Sequence, residues 1–153
     1  MKINTVGFVG TGVMGKSMIR HLLKKYNVVV YNRTKERALD LLEKGATWAN
    51  TPTEVANQVD VVLTIVGYPK DVEEVYFGEK GIFKSTKEHL VVVDLTTSTP
   101  TLAKRIDEEA AARSWESLDA PVSGGDLGAK NGTLSTMVGG TEETLEKVYP
   151  VLD

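Results

Sequence analysis

The feature that most constrains the fold is a glycine-rich turn near the amino terminus, Gly10-Thr11-Gly12-Val13-Met14-Gly15. It follows a short apolar run, residues 4–9, and opens a segment with helically spaced apolar side chains, residues 14–23. A G-x-G-x-x-G turn between a strand and a helix is the setting in which this motif binds a dinucleotide. Its glycines permit the tight turn, the approach of a pyrophosphate to the backbone, and close packing of helix on strand. We therefore expect a βαβ unit whose helix N-terminus faces phosphates.

The same segment also fits a second phosphate-binding motif. Residues 10–17 match G-x-x-x-x-G-K-S, the phosphate loop of NTPases, with Lys16 at the lysine position. Asp94, at the end of an apolar run, would then be the metal-holding carboxylate. We favour the dinucleotide interpretation because it explains Gly12 and Met14, which the NTPase loop leaves free. Lys16 is then expected to be a solvated residue near the first helical turn. A purely structural glycine turn is a third interpretation.

Along the rest of the chain, β-branched runs alternate with helix-length amphipathic segments, which is typical of repeated βαβ units. Strands are predicted at residues 4–9, 28–31, 60–66, 90–94, 115–119 and 133–138, and helices at residues 14–23, 34–42, 99–113, from 52 and from 141. Residues 60–66 are almost continuously apolar, which favours a central strand covered on both faces. The predicted fold is a Rossmann-type α/β domain with a doubly wound, mostly parallel sheet and helices on both faces.

The end of the second predicted strand bears on the choice between NAD and NADP. Enzymes that use NAD usually place an acidic residue there to bind the ribose hydroxyls. This chain has Asn32-Arg33-Thr34 instead, and Lys35 and Arg37 add to a local basic cluster. A guanidinium can bind the 2′-phosphate of NADP through charge-assisted hydrogen bonds, whereas a carboxylate would repel it. The sequence therefore predicts NADP rather than NAD, with a solvated helix start as the alternative role of Arg33 and Lys35.

Composition excludes several other classes of function. The chain has 153 residues, which suits one domain, residues 1–153. It has no cysteine, so thiol catalysis and zinc thiolate sites are excluded, and we expect no metal site. A net charge of −3 argues against a nucleic-acid surface. No window approaches the roughly 20 apolar residues of a membrane span, so we expect no membrane partner and a cytoplasmic location.

Four stretches resemble the β-hydroxyacid dehydrogenases, the family that includes 3-hydroxyisobutyrate and 6-phosphogluconate dehydrogenases. They are Gly7-Phe8-Val9 with the glycine turn, Asn32-Arg33-Thr34, Asp94-Leu95-Thr96-Thr97-Ser98-Thr99-Pro100, and Asp119-Ala120-Pro121-Val122-Ser123-Gly124-Gly125 with Gly128-Ala129 and Gly132-Thr133-Leu134. The last stretch is the most specific, because it is not a general feature of Rossmann domains. The resemblance implies hydride transfer between NADP(H) and a small β-hydroxy acid or its aldehyde or keto acid.

The resemblance also implies roles for residues that periodicity cannot assign. Thr97 is similar to a threonine near the nicotinamide end of the cofactor. Ser123, Gly124 and Gly125 resemble the loop that binds the carboxylate of the small-molecule substrate, and a tight structural turn is the alternative. Val66 and Gly67 stand where the family has backbone contacts to the cofactor, but Val66-Gly67-Tyr68-Pro69 departs from the family's usual leucine-proline-asparagine type of sequence. The expected cofactor contacts are Gly10, Thr11, Gly12, Val13, Met14, Gly15, Asn32, Arg33, Thr34, Val66, Gly67 and Thr97.

No catalytic residue is expected within this chain. In the family that it resembles, the general acid and base is a lysine on a second, all-helical domain, which we expect beyond residue 153. Lys130 does not occupy a position that the family uses for proton transfer. His21, on the first predicted helix, and His89, before a predicted strand, are expected to be ordinary surface or boundary residues. We expect the full-length protein to be a homo-oligomer and an NADP-dependent dehydrogenase or reductase. The alternatives are an imine reductase and a non-catalytic cofactor-binding module.

Overall fold

The computed structural model describes residues 3–10, 13–33, 35–66, 69–95 and 100–119. Its strands are β1 (Thr5–Val9), β2 (Asn27–Tyr31), β3 (Thr47–Trp48), β4 (Val61–Thr64), β5 (Val91–Asp94) and β6 (Glu116–Asp119). They form one six-stranded sheet in the order β3-β2-β1-β4-β5-β6. Each neighbouring pair in this sheet is parallel. This is the strand order of the Rossmann fold, so the predicted α/β class is confirmed.

Helices connect the strands. The α-helices are α1 (Val13–Leu22), α2 (Leu39–Glu43), α3 (Pro52–Gln58), α4 (Pro69–Phe77) and α5 (Pro100–Ala112). Two 3-10 helices, Lys35–Ala38 and Ile82–Lys84, complete the described elements. A parallel sheet requires such crossover connections, because each strand must return to the same edge before the next begins.

The apolar core lies on both faces of the sheet. Successive side chains of a strand point to opposite faces, so each strand supplies both layers. On one face, Phe8 of β1 belongs to the same cluster as Ile19 of α1 and Leu41 of α2. On the other face, Val62 of β4 shares a cluster with Tyr76 of α4. Helices on both faces were predicted, and this arrangement confirms them.

The strand β4 has the central position that its apolar sequence predicts. All four of its residues are buried, and it lies between β1 and β5. The predicted strand at residues 60–66 is longer than β4, but the amide of Ile65 still donates to the carbonyl of Val9 over 3.1 Å. The predicted strand and β4 therefore differ only in the residues at which regular strand pairing begins and ends.

Two helix boundaries have a local physical cause. Thr51 caps α3 by accepting a hydrogen bond from the amide of Glu54 at 3.1 Å, and Pro52 is the first helical residue. The carboxylate of Glu54 accepts in turn from the amide of Asn50 at 2.7 Å. After α2, Gly45 has a φ of 113°, a left-handed conformation that favours glycine at the end of a helix.

The structure also contains elements that the sequence did not predict. Strand β3 has only two residues, and helix α4 lies in a stretch for which no helix was predicted. The helix predicted at residues 34–42 begins as the 3-10 helix Lys35–Ala38 and becomes α-helical at Leu39. Such tight turns are common at helix ends, where i to i+3 bonds use otherwise unpaired backbone groups.

The strand predicted at residues 133–138 and the helix predicted from residue 141 lie outside the described residues. Within the described ranges, none of the helices combines the length and the apolarity that crossing a bilayer would need.

Candidate cofactor-binding site

The glycine turn begins at the carboxyl end of β1, between the ends of β2 and β4. The amide of Gly10 donates to the carbonyl of Tyr31 at 2.9 Å, and its φ is 101°. A Cβ at Gly10 would overlap the carbonyl oxygen of Ile65 and lie 3.3 Å from Cγ1 of Val66. Both the backbone conformation and the available space therefore require glycine here.

Helix α1 opens directly after this turn. Its first residues, Val13, Met14 and Gly15, form a helical turn whose backbone N–H groups have no partner four residues earlier within the helix. Such a terminus attracts phosphate through these donors and through the helix dipole. The strand, turn and helix order that a dinucleotide motif requires is thus present, while Thr11 and Gly12 lie outside the described residues.

The loops that follow β2 and β4 reach the same edge of the sheet as the glycine turn. In a parallel sheet all strands end at one edge, which is where ligands bind in this fold. Asn32 and Arg33 follow β2, and Ile65 and Val66 follow β4. The structure therefore brings Gly10, Asn32, Arg33 and Val66 together, although their individual contacts to a cofactor stay predictions.

The guanidinium of Arg33 is paired with two carboxylates from helix α4. Its Nη2 donates to Oδ1 of Asp71 at 3.2 Å and lies 3.7 Å from Oε2 of Glu74. The Arg33 side chain is nevertheless 73% exposed. The sequence shows that no acidic residue follows β2. It does not reveal Asp71 and Glu74 as partners of Arg33, because they belong to an element more than 35 residues away.

Lys35 belongs to the same predicted basic cluster but has a different partner. Its ammonium lies 5.5 Å from the centre of the Trp48 ring in β3, a cation–π contact. Trp48 also lies 5.8 Å from the ring of Tyr31 at the end of β2. Lys35 is therefore held beside β3, whereas Arg33 reaches toward α4.

Lys16 has a partner in helix α2. Its ammonium lies 3.3 Å from Oδ1 of Asp40, and Arg20 lies 3.4 Å from the other oxygen of the same carboxylate. Desolvation raises the pKa of Asp40, but the hydrogen bond and the charge of Lys16 lower it, so the net pKa is below the ordinary value. Lys16 was expected to be merely solvated. The structure corrects this, because only 28% of its side chain is exposed.

Asp94, the carboxylate that the NTPase interpretation would require, is buried at the end of β5. Oδ1 of Asp94 accepts a hydrogen bond from Oγ1 of Thr64 at 3.1 Å, and the hydroxyl of Tyr76 lies 2.9 Å from the same Thr64 oxygen. Strand β4 separates β5 from β1, which places Asp94 about two strand spacings, roughly 10 Å, from the glycine turn. Its burial and its hydrogen bond with Thr64 weigh against a metal-holding role at the Lys16 loop.

Thr34, Gly67, Thr97, Ser123, Gly124 and Gly125 lie outside the described residues, as does Lys130, and their roles stay predictions. The two histidines are exposed. His21 lies near the end of α1, and His89 lies 3.5 Å from Glu116, before β5 begins.

Comparison with known proteins shows what this arrangement is similar to. Residues 5–153 match the family model described as the NAD binding domain of 6-phosphogluconate dehydrogenase. An uncharacterized oxidoreductase of Bacillus subtilis is 53% identical over 148 residues, which cover 96% of this chain and 51% of that protein. A protein of Arabidopsis thaliana, named probable 3-hydroxyisobutyrate dehydrogenase-like 1, mitochondrial, is 50% identical over 148 residues, which cover 95% of this chain and 44% of that protein.

A solved structure has the same architecture. It is described as Psf3 in complex with NADP+ and 2-OPP, and it matches with a TM-score of 0.82 and 29% identity. The match covers 96% of this chain and 52% of that one. The chain thus spans about half the length of the relatives that it matches.

Proposed function

The chain belongs to the family of NAD-binding domains of 6-phosphogluconate dehydrogenase, and from that premise we propose that it binds NADP(H) for hydride transfer in a longer oxidoreductase. Its relatives are 3-hydroxyisobutyrate dehydrogenase-like proteins, so the chain is an NAD(P)-binding domain of that type. The proposal goes further in naming NADP and a small β-hydroxy acid, or the corresponding aldehyde or keto acid.

One observation carries the choice of NADP. Asn32, a neutral amide, stands at the end of β2 where NAD enzymes of this fold place a carboxylate, and the exposed guanidinium of Arg33 follows it. A 2′-phosphate accepts charge-assisted hydrogen bonds from such a group, and its planar fork allows two of them. The solved structure described with NADP+ supports the same choice, since it shares the fold and 29% of the sequence.

The described residues also fit the parts of a dinucleotide other than the 2′-phosphate. The turn at Gly10 leads into the start of α1, which offers backbone donors for a pyrophosphate. Asn32 and Arg33 stand on one side of this turn and Val66 on the other, as a ligand lying across the strand ends requires. When bound, the nicotinamide supplies the hydride acceptor or donor, and the protein supplies binding, orientation and the exclusion of water.

The substrate side of the proposal rests on the glycine-rich loop after β6. The hydroxyl of Ser123 and the backbone N–H groups that Ser123, Gly124 and Gly125 carry are donors that suit a carboxylate, which is negatively charged and accepts several hydrogen bonds. The Arabidopsis relative is named for 3-hydroxyisobutyrate, a small β-hydroxy acid. Oxidation of such an acid moves a hydride from the carbinol carbon to the cofactor and releases the hydroxyl proton to a base.

That base is proposed to lie in a helical domain that follows this one. General acid–base catalysis is typically worth about 100- to 10,000-fold, so hydride transfer without it would be slow. Reading the coding sequence past Asp153 gives the first test. A helical domain with a lysine, and an asparagine one turn later, supports the dehydrogenase. A native stop codon would instead favour a non-catalytic cofactor-binding module.

The activity test compares two proteins: the 153-residue chain and the complete gene product. We expect both to bind NADPH, and only the complete protein to reduce glyoxylate, succinic semialdehyde or related aldehydes with NADPH. Ser123→Ala in the complete protein should raise KM for the acid substrates while leaving NADPH binding unchanged. Robust turnover by the 153-residue chain, retained on repurification, would contradict this division of the chemistry. An imine reductase would instead act on cyclic imines with the same cofactor.

A further inference from the structure

The ion pairs of Arg33 join two elements that lie on opposite sides of the glycine turn. Arg33 follows β2, whereas Asp71 and Glu74 belong to α4, which follows β4. Strands β2 and β4 are the two neighbours of β1 in the sheet. The pair therefore spans the carboxyl end of β1, beside Gly10, where the adenosine half of the proposed dinucleotide would lie.

The two carboxylates differ in how firmly they are placed. The side chain of Asp71 is 17% exposed, and it lies in the first turn of α4, where the helix dipole stabilises a negative charge. The Glu74 side chain is 74% exposed, and its distance to Nη2 is longer, at 3.7 Å against 3.2 Å. Asp71 is thus the fixed counter-ion of Arg33, and Glu74 contributes a weaker, more screened attraction.

We propose that Asp71 is a selectivity residue, because it competes with the 2′-phosphate of NADP for the guanidinium of Arg33. This inference rests on the proposed function. A phosphate bound to Arg33 would stand close to the Asp71 carboxylate, and two like charges at such a distance repel each other. NADH carries no 2′-phosphate, so its binding does not require Arg33 to change partners. Asp71 therefore lowers the ratio of NADPH to NADH affinity that Arg33 alone would give.

The strength of the competition follows from the exposure of the Arg33 side chain, which is 73%. Water and salt screen an ion pair with such an exposed partner, so exchanging Asp71 for a phosphate costs little free energy. Asp71→Asn removes the charge and keeps the shape of the side chain. We expect it to tighten NADPH binding about two- to five-fold and to leave NADH affinity unchanged. Glu74→Gln should act in the same direction with a smaller effect.

Glu73 provides a matched control on the same helix. Its carboxylate pairs with Arg105 of α5 at 3.5 Å rather than with Arg33. Glu73→Gln removes the same charge from α4 and should not change the NADPH to NADH ratio. If a general loss of negative charge explained the Asp71→Asn result, Glu73→Gln would reproduce it.

The experiment is a calorimetric titration of each variant with adenosine 2′,5′-bisphosphate and with 5′-AMP, which differ only in the 2′-phosphate. We expect Asp71→Asn to raise affinity for the bisphosphate alone, and to have no effect when Arg33 is already alanine. Unchanged or weaker bisphosphate binding in Asp71→Asn, with the wild type still preferring the bisphosphate, would overturn the competition but not the NADP assignment. A wild type that binds both ligands equally would overturn both.

Discussion

The ammonium of Lys16 lies 3.3 Å from the carboxylate of Asp40, which joins helix α1 to helix α2. A lysine in the phosphate loop of an NTPase must instead reach the nucleotide phosphates. We therefore expect Lys16→Ala to leave NADPH affinity within about two-fold, because Lys16 pairs with Asp40 and such pairs on the protein surface contribute little. Fluorescence titration with NADPH measures this directly.

The same variant separates the two interpretations of the glycine turn. We expect ATP with magnesium to bind poorly to the wild type, and no hydrolysis above background. ATP hydrolysis that Lys16→Ala abolishes would mean that the chain is an NTPase and that Asp40 is only a resting partner of Lys16.

A second prediction concerns Gly10. Gly10→Ala should destabilise the fold by about 3 kcal/mol or more, because a positive φ strains alanine and the new Cβ would overlap the carbonyl oxygen of Ile65. Gly45→Ala is the control, since Gly45 also has a positive φ but no atom within 4 Å of an added Cβ. It should cost only about 1–2 kcal/mol. Urea denaturation measures both, and equal losses would refute the proposed overlap.

A third prediction concerns the buried hydroxyl of Thr64. Its Oγ1 donates to Oδ1 of Asp94 at 3.1 Å, and it lies 3.4 Å from the carbonyl oxygen of Val93 and 2.9 Å from the hydroxyl oxygen of Tyr76. Thr64→Val removes a donor from a buried carboxylate and should cost about 1–3 kcal/mol of unfolding free energy. Thr64→Ser keeps the hydroxyl and should lose less. A Thr64→Val protein as stable as the wild type would show that Asp94 does not depend on this bond.

Much of the fold was predictable because its signals are local. The apolar run at residues 60–66 predicts the buried centre of the sheet, and β4 lies there. Thr51 and Pro52 predict where α3 begins, and they do so through a hydrogen bond within four residues. Strand β3 was missed because two residues carry no periodicity, and it exists only by pairing with β2.

The candidate site was predictable to a smaller extent. Gly10 was identified because its conformation needs glycine, a requirement visible in the sequence motif. The partners of Arg33 were not identified from the sequence. Asp71 and Glu74 are distant from Arg33 along the chain and lie on α4, a helix that the sequence did not predict. The pairing of Lys16 with Asp40 was missed for the same reason, since it depends on how α2 packs beside α1.

The direct test of the NADP assignment is the affinity of the protein for NADPH and NADH, measured by calorimetry in wild type, Arg33→Ala and Asn32→Asp. We predict that wild type binds NADPH more tightly than NADH. Arg33→Ala should cost about 1.5–3 kcal/mol for NADPH and nothing for NADH, and Asn32→Asp should move the preference toward NADH. Equal affinities in the wild type, or an equal loss for both cofactors in Arg33→Ala, would contradict the assignment of Arg33 to a 2′-phosphate.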